Sequence, residues 1–376
     1  MKNDSHVDVA VVGAGIVGLA MAYTAAKQGL KVAVFDRTSR AIGASIRNFG
    51  LIWPIGQPPG KLLERALRSR EIWKKIARKT GFWLHKNGSL HLAYHQDELN
   101  VLVEFAETAH REGYDFKVLN PEDVVSKSPA VRKKHLLCGL WSKTEMTVDP
   151  REALREIPKY LKKNLNVQFY YDTAITGIDV PKLYTSNSLC EADRIFICSG
   201  SDFETLYPQV FAESKLIKCK LQMMRTRSQP AKWELGPTLC GGLTLRHYAA
   251  FQHCKSLEML NKRFDDENPE YKEHGIHVMV TQNGKGELVI GDSHEYGMTF
   301  DPFDNEQINK TMLEYLKGFA KVPALKIAER WHGVYTKLPG ATEFIAHPEP
   351  GVTIVNGLGG AGMTLSFGLA EELLAS

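Results

Sequence analysis

The chain opens with a pattern of apolar and polar segments that predicts a strand, a helix and a second strand. Residues 7–12 form an apolar run that is short enough for a buried parallel strand. An apolar, Ala-rich segment over residues 16–28 predicts a helix, and residues 31–35 predict the next strand. Strands that alternate with helices in this way are typical of a parallel α/β sheet.

Amphipathic and alternating segments continue along the rest of the chain. They predict helices over residues 61–80, 97–112, 304–320 and 363–374, and a helix that begins at Asp149-Pro150. Strands are predicted at residues 82–93, 136–141, 193–198 and 351–356, and residues 167–180 are predicted to form paired strands. Residues 216–227, 239–254, 276–282 and 286–292 alternate or run apolar, which indicates one antiparallel sheet.

Length and composition narrow the class of protein. The 376 residues suit two interleaved domains, and a hydrophobic fraction of 43% with 24% charged residues is ordinary for a globular protein. The net charge of +4, with no basic run broken by aromatic residues, argues against nucleic acid as a partner.

The cysteines and the apolar segments indicate the compartment. The 6 cysteines show no CxxC and no zinc spacing, so we expect buried thiols in a reducing compartment and no metal. No segment is long and apolar enough to span a membrane, and the first residues lack the apolar core of a signal peptide. We therefore expect a cytoplasmic protein without a membrane partner.

Three glycines between the first strand and the first helix carry the strongest chemical signal. Gly13, Gly15 and Gly18 follow the spacing GxGxxG, and Asp36 ends the second strand. In this arrangement the glycines allow a tight turn, a close approach of the backbone to a pyrophosphate, and close packing of helix on strand. The helix N-terminus offers N–H groups to the phosphates, and the aspartate can accept hydrogen bonds from a ribose. Together these residues predict a dinucleotide site.

A second glycine-rich turn stands near the end of the chain. Residues 357–362 read GLGGAG between the predicted strand at 351–356 and the predicted helix at 363–374. Two such turns in one parallel sheet can hold an extended cofactor from both sides, with the pyrophosphate at the first helix and another electron-rich group at the last. The alternative is a loop that merely turns the chain.

Six motifs, in order along nearly the whole chain, resemble the FAD-dependent D-amino-acid oxidase, glycine oxidase and sarcosine oxidase superfamily. They are the GxGxxG unit with Asp36-Arg37, residues 43–50 (GASIRNFG), Val148-Asp149-Pro150, residues 173–178, residues 198–201 (CSGS) and residues 357–364. The resemblance implies noncovalently bound FAD. The implied cofactor contacts are Gly13, Ala14, Gly15, Ile16, Gly18, Asp36, Arg37, Ser45, Arg47, Asn48, Phe49, Gly50, Ile175, Ser199, Gly200, Gly333, Gly357, Leu358, Gly359, Gly360, Gly362, Met363 and Thr364.

The resemblance also implies an architecture and a reaction. We expect an α/β fold in which a doubly wound, Rossmann-like FAD-binding domain is built from residues 1–85, 148–215 and 325–376. A discontinuous antiparallel-sheet substrate domain would come from residues 86–147 and 216–324. Such enzymes transfer a hydride from the carbon beside an amine to flavin N5, and the imine then hydrolyses to a carbonyl compound. Oxygen or another acceptor reoxidises the flavin.

The chain departs from this family where glycine and D-amino-acid oxidases carry an arginine that clamps the substrate carboxylate. Residues 332–337 read HGVYTK, and Tyr335 stands at the arginine position. If the substrate is anionic, other residues must hold it. The candidates are Arg246, His247 and Tyr248 on a predicted strand, together with Lys337 and His294, and each is otherwise a surface charge or a core side chain.

Other residues are candidates for the same pocket. Tyr335, His332 and His294 are the candidate catalytic residues, and Trp53 either lines the pocket or belongs to the core. The strings NFGLIWPIGQ (48–57) and GDSHEYG (291–297) resemble FAD oxidoreductases of phosphonate catabolism, which implies an aminophosphonate substrate such as 2-aminoethylphosphonate. The alternatives are a glycine, sarcosine or D-amino-acid oxidase, a 2-hydroxy acid dehydrogenase, and a flavoprotein subunit that needs a partner chain.

Overall fold

The computed structural model describes residues 6–186 and 188–375. Within these residues the chain forms strands β1 to β20 and helices α1 to α11. The strands are β1 His6–Val12, β2 Val32–Phe35, β3 Leu51–Ile52, β4 Leu84–His85, β5 Ser89–Ala93, β6 Phe116–Leu119, β7 Cys138–Ser142, β8 Met146–Val148, β9 Gln168–Tyr170, β10 Ile175–Asp179, β11 Lys182–Thr185, β12 Leu189–Ile197, β13 Ile217–Ser228, β14 Thr238–Cys240, β15 Met279–Gln282, β16 Glu287–Gly291, β17 Glu295–Gly297, β18 Ile327–Lys337, β19 Phe344–Ala346 and β20 Val352–Asn356.

The helices cover both faces of one sheet and one side of another. They are α1 Ile16–Lys27, α2 Lys61–Thr80, α3 Gln96–Ala109, α4 Pro121–Lys127, α5 Pro150–Leu165, α6 Pro208–Glu213, α7 Leu243–His247, α8 Leu257–Glu267, α9 Pro269–Glu273, α10 Glu306–Phe319 and α11 Gly362–Ala375.

The first sheet has eight strands and a parallel centre. Strand β1 lies between β12 and β2, and all three run in the same direction. Strand β20 pairs in parallel with β12, and β9 pairs in parallel with β2. The helices α1 and α11 pack against each other over this sheet, so the strand–helix units that open and close the chain meet at one place. The predicted doubly wound α/β arrangement is confirmed.

Apolar layers on both faces of this sheet explain the unbroken apolar run of β1. Val9 and Val11 pack with α1, α2, α5 and α11, whereas Ala10 packs in a separate core that includes Phe203 and Phe211. A strand that is buried on both faces needs apolar residues at every position rather than at alternate ones.

The second sheet has nine strands and is antiparallel except where β14 pairs with β5. Strand β13 is its longest member and pairs with β16, β17 and β18. A three-stranded sheet of β3, β8 and β4 completes the fold. The division into two domains stays a prediction. The predicted FAD-binding domain includes the residues of β18, but this strand pairs with β13 of the nine-stranded sheet.

Two strand predictions are wrong. Residues 239–254 form the end of β14 followed by the helix α7 and a 3-10 turn, because Leu243 and Leu245 are buried beside α8 instead of alternating across a sheet. Arg246 and His247 therefore lie on a short helix. The predicted paired strands of residues 167–180 are β9 and β10, which lie at opposite ends of the first sheet, since β9 fills the open edge of β2.

The cysteines and the helices can be compared with the features expected from the sequence. All six cysteines lie among the described residues, are buried and form no disulfide. In the part of the chain that the structure describes, the helices do not combine the length and apolar character that a membrane span requires.

Candidate active site

A large cavity is lined by residues from both major sheets. Its volume is about 790 Å³. One end lies at the carboxyl ends of β1 and β2, beside Gly13 and Asp36, and the other lies beside β18 and α7. The glycine-rich turn of residues 357–362 borders the cavity between these ends. The two turns singled out by the sequence thus face one space.

The first glycine turn is shaped by close backbone contacts. Gly13 adopts φ +105°, and an added Cβ there would lie 2.4 Å from the carbonyl oxygen of Cys198. A Cβ on Gly18 would lie 1.9 Å from the carbonyl oxygen of Gly13, which no side chain can tolerate. Only glycine lets α1 begin this close to β1, and the N–H groups of its first turn stay free of intrahelical partners.

Asp36 holds the same turn from the end of β2. One carboxylate oxygen accepts the N–H of Ala14 at 2.8 Å, and the other accepts the N–H and the hydroxyl of Thr38 at 2.9 and 2.7 Å. The Oγ of Ser45 accepts the N–H of Ile16 at 2.9 Å. Asp36 and Ser45 therefore order the turn from two sides and also line the cavity.

The second glycine turn is fixed to β18 and to the loop after β3. Lys337 and Leu358 form a backbone bridge, and the N–H of Trp53 donates to Oγ1 of Thr364 at 3.0 Å. A Cβ on Gly360 would lie 3.9 Å from the hydroxyl of Tyr335. The N-terminus of α11 is thus held next to Tyr335, where its N–H groups can face a negative charge.

These features fit FAD. The backbone leaves no space for side chains at Gly13 and Gly18 of the first turn and little at Gly357 of the second, and the N-terminal residues of both α1 and α11 line the same cavity. When bound, FAD would be held by the first turn, Asp36 and Ser45 at its nucleotide end and by the 357–362 turn at the other end. The contact of each of these residues with FAD stays a prediction.

At the far end of the cavity, Tyr335 and Lys337 project from β18. Burial, followed by the neighbouring Cys219, raises the pKa of Tyr335 well above its usual value, so its hydroxyl stays a donor. The Nζ of Lys337 lies 5.3 Å from the centre of the Tyr296 ring. Both side chains line the cavity.

Arg246 brings a cationic side chain to the wall of the same cavity. Its Nη2 donates to Asp265 at 3.1 Å, whereas its Nη1 is buried and has no hydrogen-bond partner among the described residues. Arg246 lines the cavity. The side chain is 20% exposed although Nη1 is buried, so the other atoms of Arg246 line the cavity and make this residue a candidate for binding an anion.

The aromatic wall of this end comes from Trp53 and Tyr248. Their ring centres are 5.9 Å apart, and a Cβ on Gly56 would meet both rings at 2.6 Å. Trp53 is 3% exposed, so it belongs to the core and lines the cavity at once.

His247 and His294 line the cavity, but they differ as candidate cations. Burial, followed by His277, His294 and Lys337, lowers the pKa of His247 well below its usual value. This lowered pKa favours the neutral ring of His247, although the side chain is exposed to the cavity, and its role as a cation stays a prediction. The Nδ1 of His294 lies 2.9 Å from the carbonyl oxygen of Gly275.

Four predicted residues are not brought to the cavity wall. Ala14 and Gly18 support the first turn, and Gly50 packs against the carbonyl oxygen of Val148, where a Cβ would lie 2.0 Å away. The ring of His332 bonds to Asp304 at 2.9 Å in a separate surface pocket. The other predicted cofactor and substrate residues all border the cavity.

Sequence reasoning missed several residues of the cavity. His277 and Asp292 line it, and their side chains lie 3.2 Å apart. They stand just outside β15 and β16; Asp292 lies within the string 291–297 noted in the sequence, but neither residue was named as a candidate. Asn356 was also missed, and its amide donates to the carbonyl oxygen of Gly200 at 2.9 Å.

Comparison with known proteins identifies the family of the chain. The family model described as DAO, FAD dependent oxidoreductase, matches residues 8–376. Glycine oxidase from Bacillus licheniformis is 22% identical over 361 residues, which cover 91% of this chain and 85% of that protein.

Solved structures share the fold. L-proline dehydrogenase from P. horikoshii has a TM-score of 0.80 at 20% identity, and the match covers 99% of this chain and 94% of that one. L-alpha-glycerophosphate oxidase from Mycoplasma pneumoniae, with FAD bound, has a TM-score of 0.76 at 18% identity over 98% of this chain and 94% of its own. The predicted fold class and the FAD cofactor are confirmed, and the chain belongs to the DAO family of FAD-dependent oxidoreductases.

Proposed function

We propose that this protein oxidises the C–N bond of a small anionic amine. The observation that carries the proposal is that Arg246, Lys337 and Tyr335 line one cavity together with the glycine turn before α11. FAD supplies the chemistry when bound, because it takes a hydride from the carbon beside the nitrogen and later yields the electrons to oxygen or another acceptor. Water hydrolyses the resulting imine to a carbonyl compound.

The protein groups bind and orient the substrate. Arg246 and Lys337 supply positive charge for the anionic end, and the neutral hydroxyl of Tyr335 supplies a hydrogen bond. Trp53 and Tyr248 form an apolar wall that excludes water from the carbon to be oxidised. The names of the relatives, a glycine oxidase and an L-proline dehydrogenase, support an amine with an acidic group.

The finer proposal is that the anion is a phosphonate. A phosphonate has three acceptor oxygens, so separate donors on Arg246, Lys337 and Tyr335 suit it better than one forked arginine at position 335 would. The sequences of residues 48–57 and 291–297 resemble FAD oxidoreductases of phosphonate catabolism, which also supports a phosphonate. A glycine, sarcosine or D-amino-acid oxidase is the alternative that the relatives favour.

Anaerobic mixing of the purified holoenzyme with single substrates tests both the oxidation of a C–N bond and the choice of a phosphonate as the anion. Loss of the flavin absorbance with 2-aminoethylphosphonate or its N-methyl form, and not with glycine, sarcosine or D-alanine, is the result expected for a phosphonate site. If only the amino acids reduce the flavin, the anion that the site binds is a carboxylate and not a phosphonate. Reduction by a 2-hydroxy acid and by no amine would contradict C–N oxidation.

A further inference from the structure

Three histidines and one aspartate form a cluster at the substrate end of the cavity. His277 precedes β15, and Asp292 and His294 follow β16, while His247 ends α7. The N–H of His277 donates to the carbonyl oxygen of Asp292 at 2.8 Å, and the N–H of Asp292 donates back to the carbonyl oxygen of His277. This backbone pair continues the ladder of β15 and β16, so the two side chains lie on neighbouring strands.

Asp292 fixes the ring of His277. Its Oδ1 lies 3.2 Å from Nδ1 of His277, and a carboxylate there makes Nδ1 the donor. The Nε2 of His277 is buried without a partner among the described residues. The Nε2 of His294 lies 3.8 Å from the other oxygen of Asp292. His277 is therefore oriented by a buried carboxylate.

His247 covers this pair on the cavity side. Its ring stacks on that of His277 with centres 4.1 Å apart and an angle of 4° between the planes. Within the described chain, no side chain or backbone group forms a hydrogen bond with either ring nitrogen of His247, and its accessible surface faces the cavity. The stack holds an unpartnered imidazole where a substrate can reach it.

The proposed reaction requires a proton acceptor at this place. In an ammonium group the nitrogen lone pair is bound to a proton, so a C=N bond cannot form until that proton leaves. On the basis of the proposed function, we infer that His247 accepts the proton of the substrate ammonium group, with His277 and Asp292 as positioning residues. The N–H bond breaks, the proton binds a ring nitrogen of His247, and the freed lone pair forms C=N as the C–H hydride leaves for FAD.

The surroundings of His247 favour this role. The charged and titratable groups that face the cluster come from several elements. They are Arg246 and Tyr248 beside the ring, His91, His277, Asp292, His294 and Tyr296 from the nine-stranded sheet and the residues that flank its strands, and Tyr335 and Lys337 from β18. The enclosure that lowers the pKa of His247 keeps its lone pair free near pH 7.

The test compares two variants of His247 with a matched control. His110 stacks on Phe116 at the same 4.1 Å centre distance but lies outside the cavity, so His110→Gln is the control. The rate of anaerobic flavin reduction is measured from pH 6 to 10 for wild type, His247→Ala, His247→Gln and the control. The substrate is whichever of 2-aminoethylphosphonate, N-methyl-2-aminoethylphosphonate, glycine or sarcosine reduces the wild type. Bound FAD, measured by its absorbance, shows that each variant has folded.

The inference predicts that both His247 variants reduce flavin on the order of 100-fold more slowly at pH 7. The rate should recover at high pH, where the free amine binds already deprotonated, and added imidazole should restore His247→Ala at pH 7. A wild-type profile in both variants, or an equal loss at every pH without imidazole rescue, would overturn the inference. If no amine reduces the wild-type flavin, the proposed function fails first and the inference fails with it.

Discussion

At the residue scale, anion binding is argued from the place of Arg246 on the cavity wall beside Lys337 and Tyr335. Asp265 holds the guanidinium on one side, and its own second oxygen is bound by Lys272 at 2.7 Å. The arginine is thus oriented before any substrate arrives, which lowers the entropic cost of binding.

Replacement of Arg246 by methionine should weaken substrate binding more than chemistry. Loss of a charge-assisted hydrogen bond is worth about 1.5–3 kcal/mol, which corresponds to an increase of KM by about 10- to 100-fold with a smaller change in kcat. Steady-state kinetics with the anionic amine measure this. Arg155→Met, which removes an exposed arginine paired with Glu156, is the control. An unchanged KM in Arg246→Met would remove Arg246 from the anion site.

Gly18 should tolerate no side chain. In Gly18→Ala the new Cβ would meet the carbonyl oxygen of Gly13 at 1.9 Å, so α1 must shift away from β1. We expect a loss of about 1–3 kcal/mol of stability and weaker FAD binding. Titration of the apoprotein with FAD measures the second effect. Gly318→Ala in α10, where nothing lies within 4 Å of the new Cβ, should retain full affinity.

The glycine turn and the histidine cluster show what the residues alone can predict. Gly13, Gly15, Gly18 and Asp36 lie within one strand–helix–strand unit, so their spacing carries the geometry. His277 and Asp292 meet only because β15 and β16 pair, and His247 reaches them from a separate helix. Contacts between distant segments leave no local periodicity, and so the cluster could not be predicted.

At the element scale, the crossing of α2 and α11 joins the end of the chain to its first third. Arg65 on α2 is 2% exposed and bonds with Glu343 and Glu372, the latter on α11. Gly368 allows this approach, because a Cβ there would lie 2.6 Å from the carbonyl oxygen of Arg65. The ion pairs thereby help to hold the helix whose N-terminus borders the cavity.

Arg65→Met should destabilise the protein and flatten its response to acid. Loss of the buried Arg65 guanidinium should lower the free energy of unfolding by about 2–3 kcal/mol. The cost is not larger because the carboxylates of Glu343 and Glu372 keep some contact with water. Burial opposes ionisation of Glu343, but its hydrogen bonds from Arg65 and Thr342 outweigh this and lower its pKa, and the bond from Arg65 lowers that of Glu372.

These lowered pKa values set the sign of the pH dependence. The carboxylates contribute stability above their unfolded pKa of about 4.3, and the contribution is lost as pH falls through the lower folded pKa values. Urea unfolding between pH 6 and 3 should show a smaller acid loss in Arg65→Met than in wild type. Arg68→Met, which removes a largely exposed arginine paired with Glu371, should change stability by less than about 0.5 kcal/mol. Equal acid loss in Arg65→Met and wild type would contradict this role.

The elements themselves divide into predictable and unpredictable ones. The helix at Lys61–Thr80 follows directly from its apolar stripe, and the predicted bounds match. The apolar runs in residues 239–254 are compatible with either a strand or a short helix. Part of this segment forms the helix α7 because its apolar side chains are buried beside α8. Tertiary packing, rather than local pattern, determines such segments.

At the scale of the whole molecule, the predicted FAD site combines distant parts of the chain. The turn at Gly13, the strand end at Asp36 and the turn at residues 357–362 come together only in the folded protein. A ligand that binds the folded chain and not the unfolded one stabilises it by mass action.

FAD should therefore raise the unfolding temperature in a concentration-dependent way. At free FAD of about 100 times Kd, the expected gain is about 2.7 kcal/mol. Thermal unfolding of the apoprotein across a series of FAD concentrations measures this gain. An unfolding temperature that is the same with and without FAD would mean that the two glycine turns do not form the cofactor site in the folded chain.

Anaerobic reduction of the bound flavin by single substrates is the most direct test of the proposed activity. The holoenzyme is mixed without oxygen with each aminophosphonate, amino acid and 2-hydroxy acid, and the flavin absorbance is followed. We expect reduction by an anionic amine, with an aldehyde or keto acid and ammonia or an alkylamine as products. Reduction by hydroxy acids alone, or by none of these compounds, would contradict the oxidation of a C–N bond by this protein.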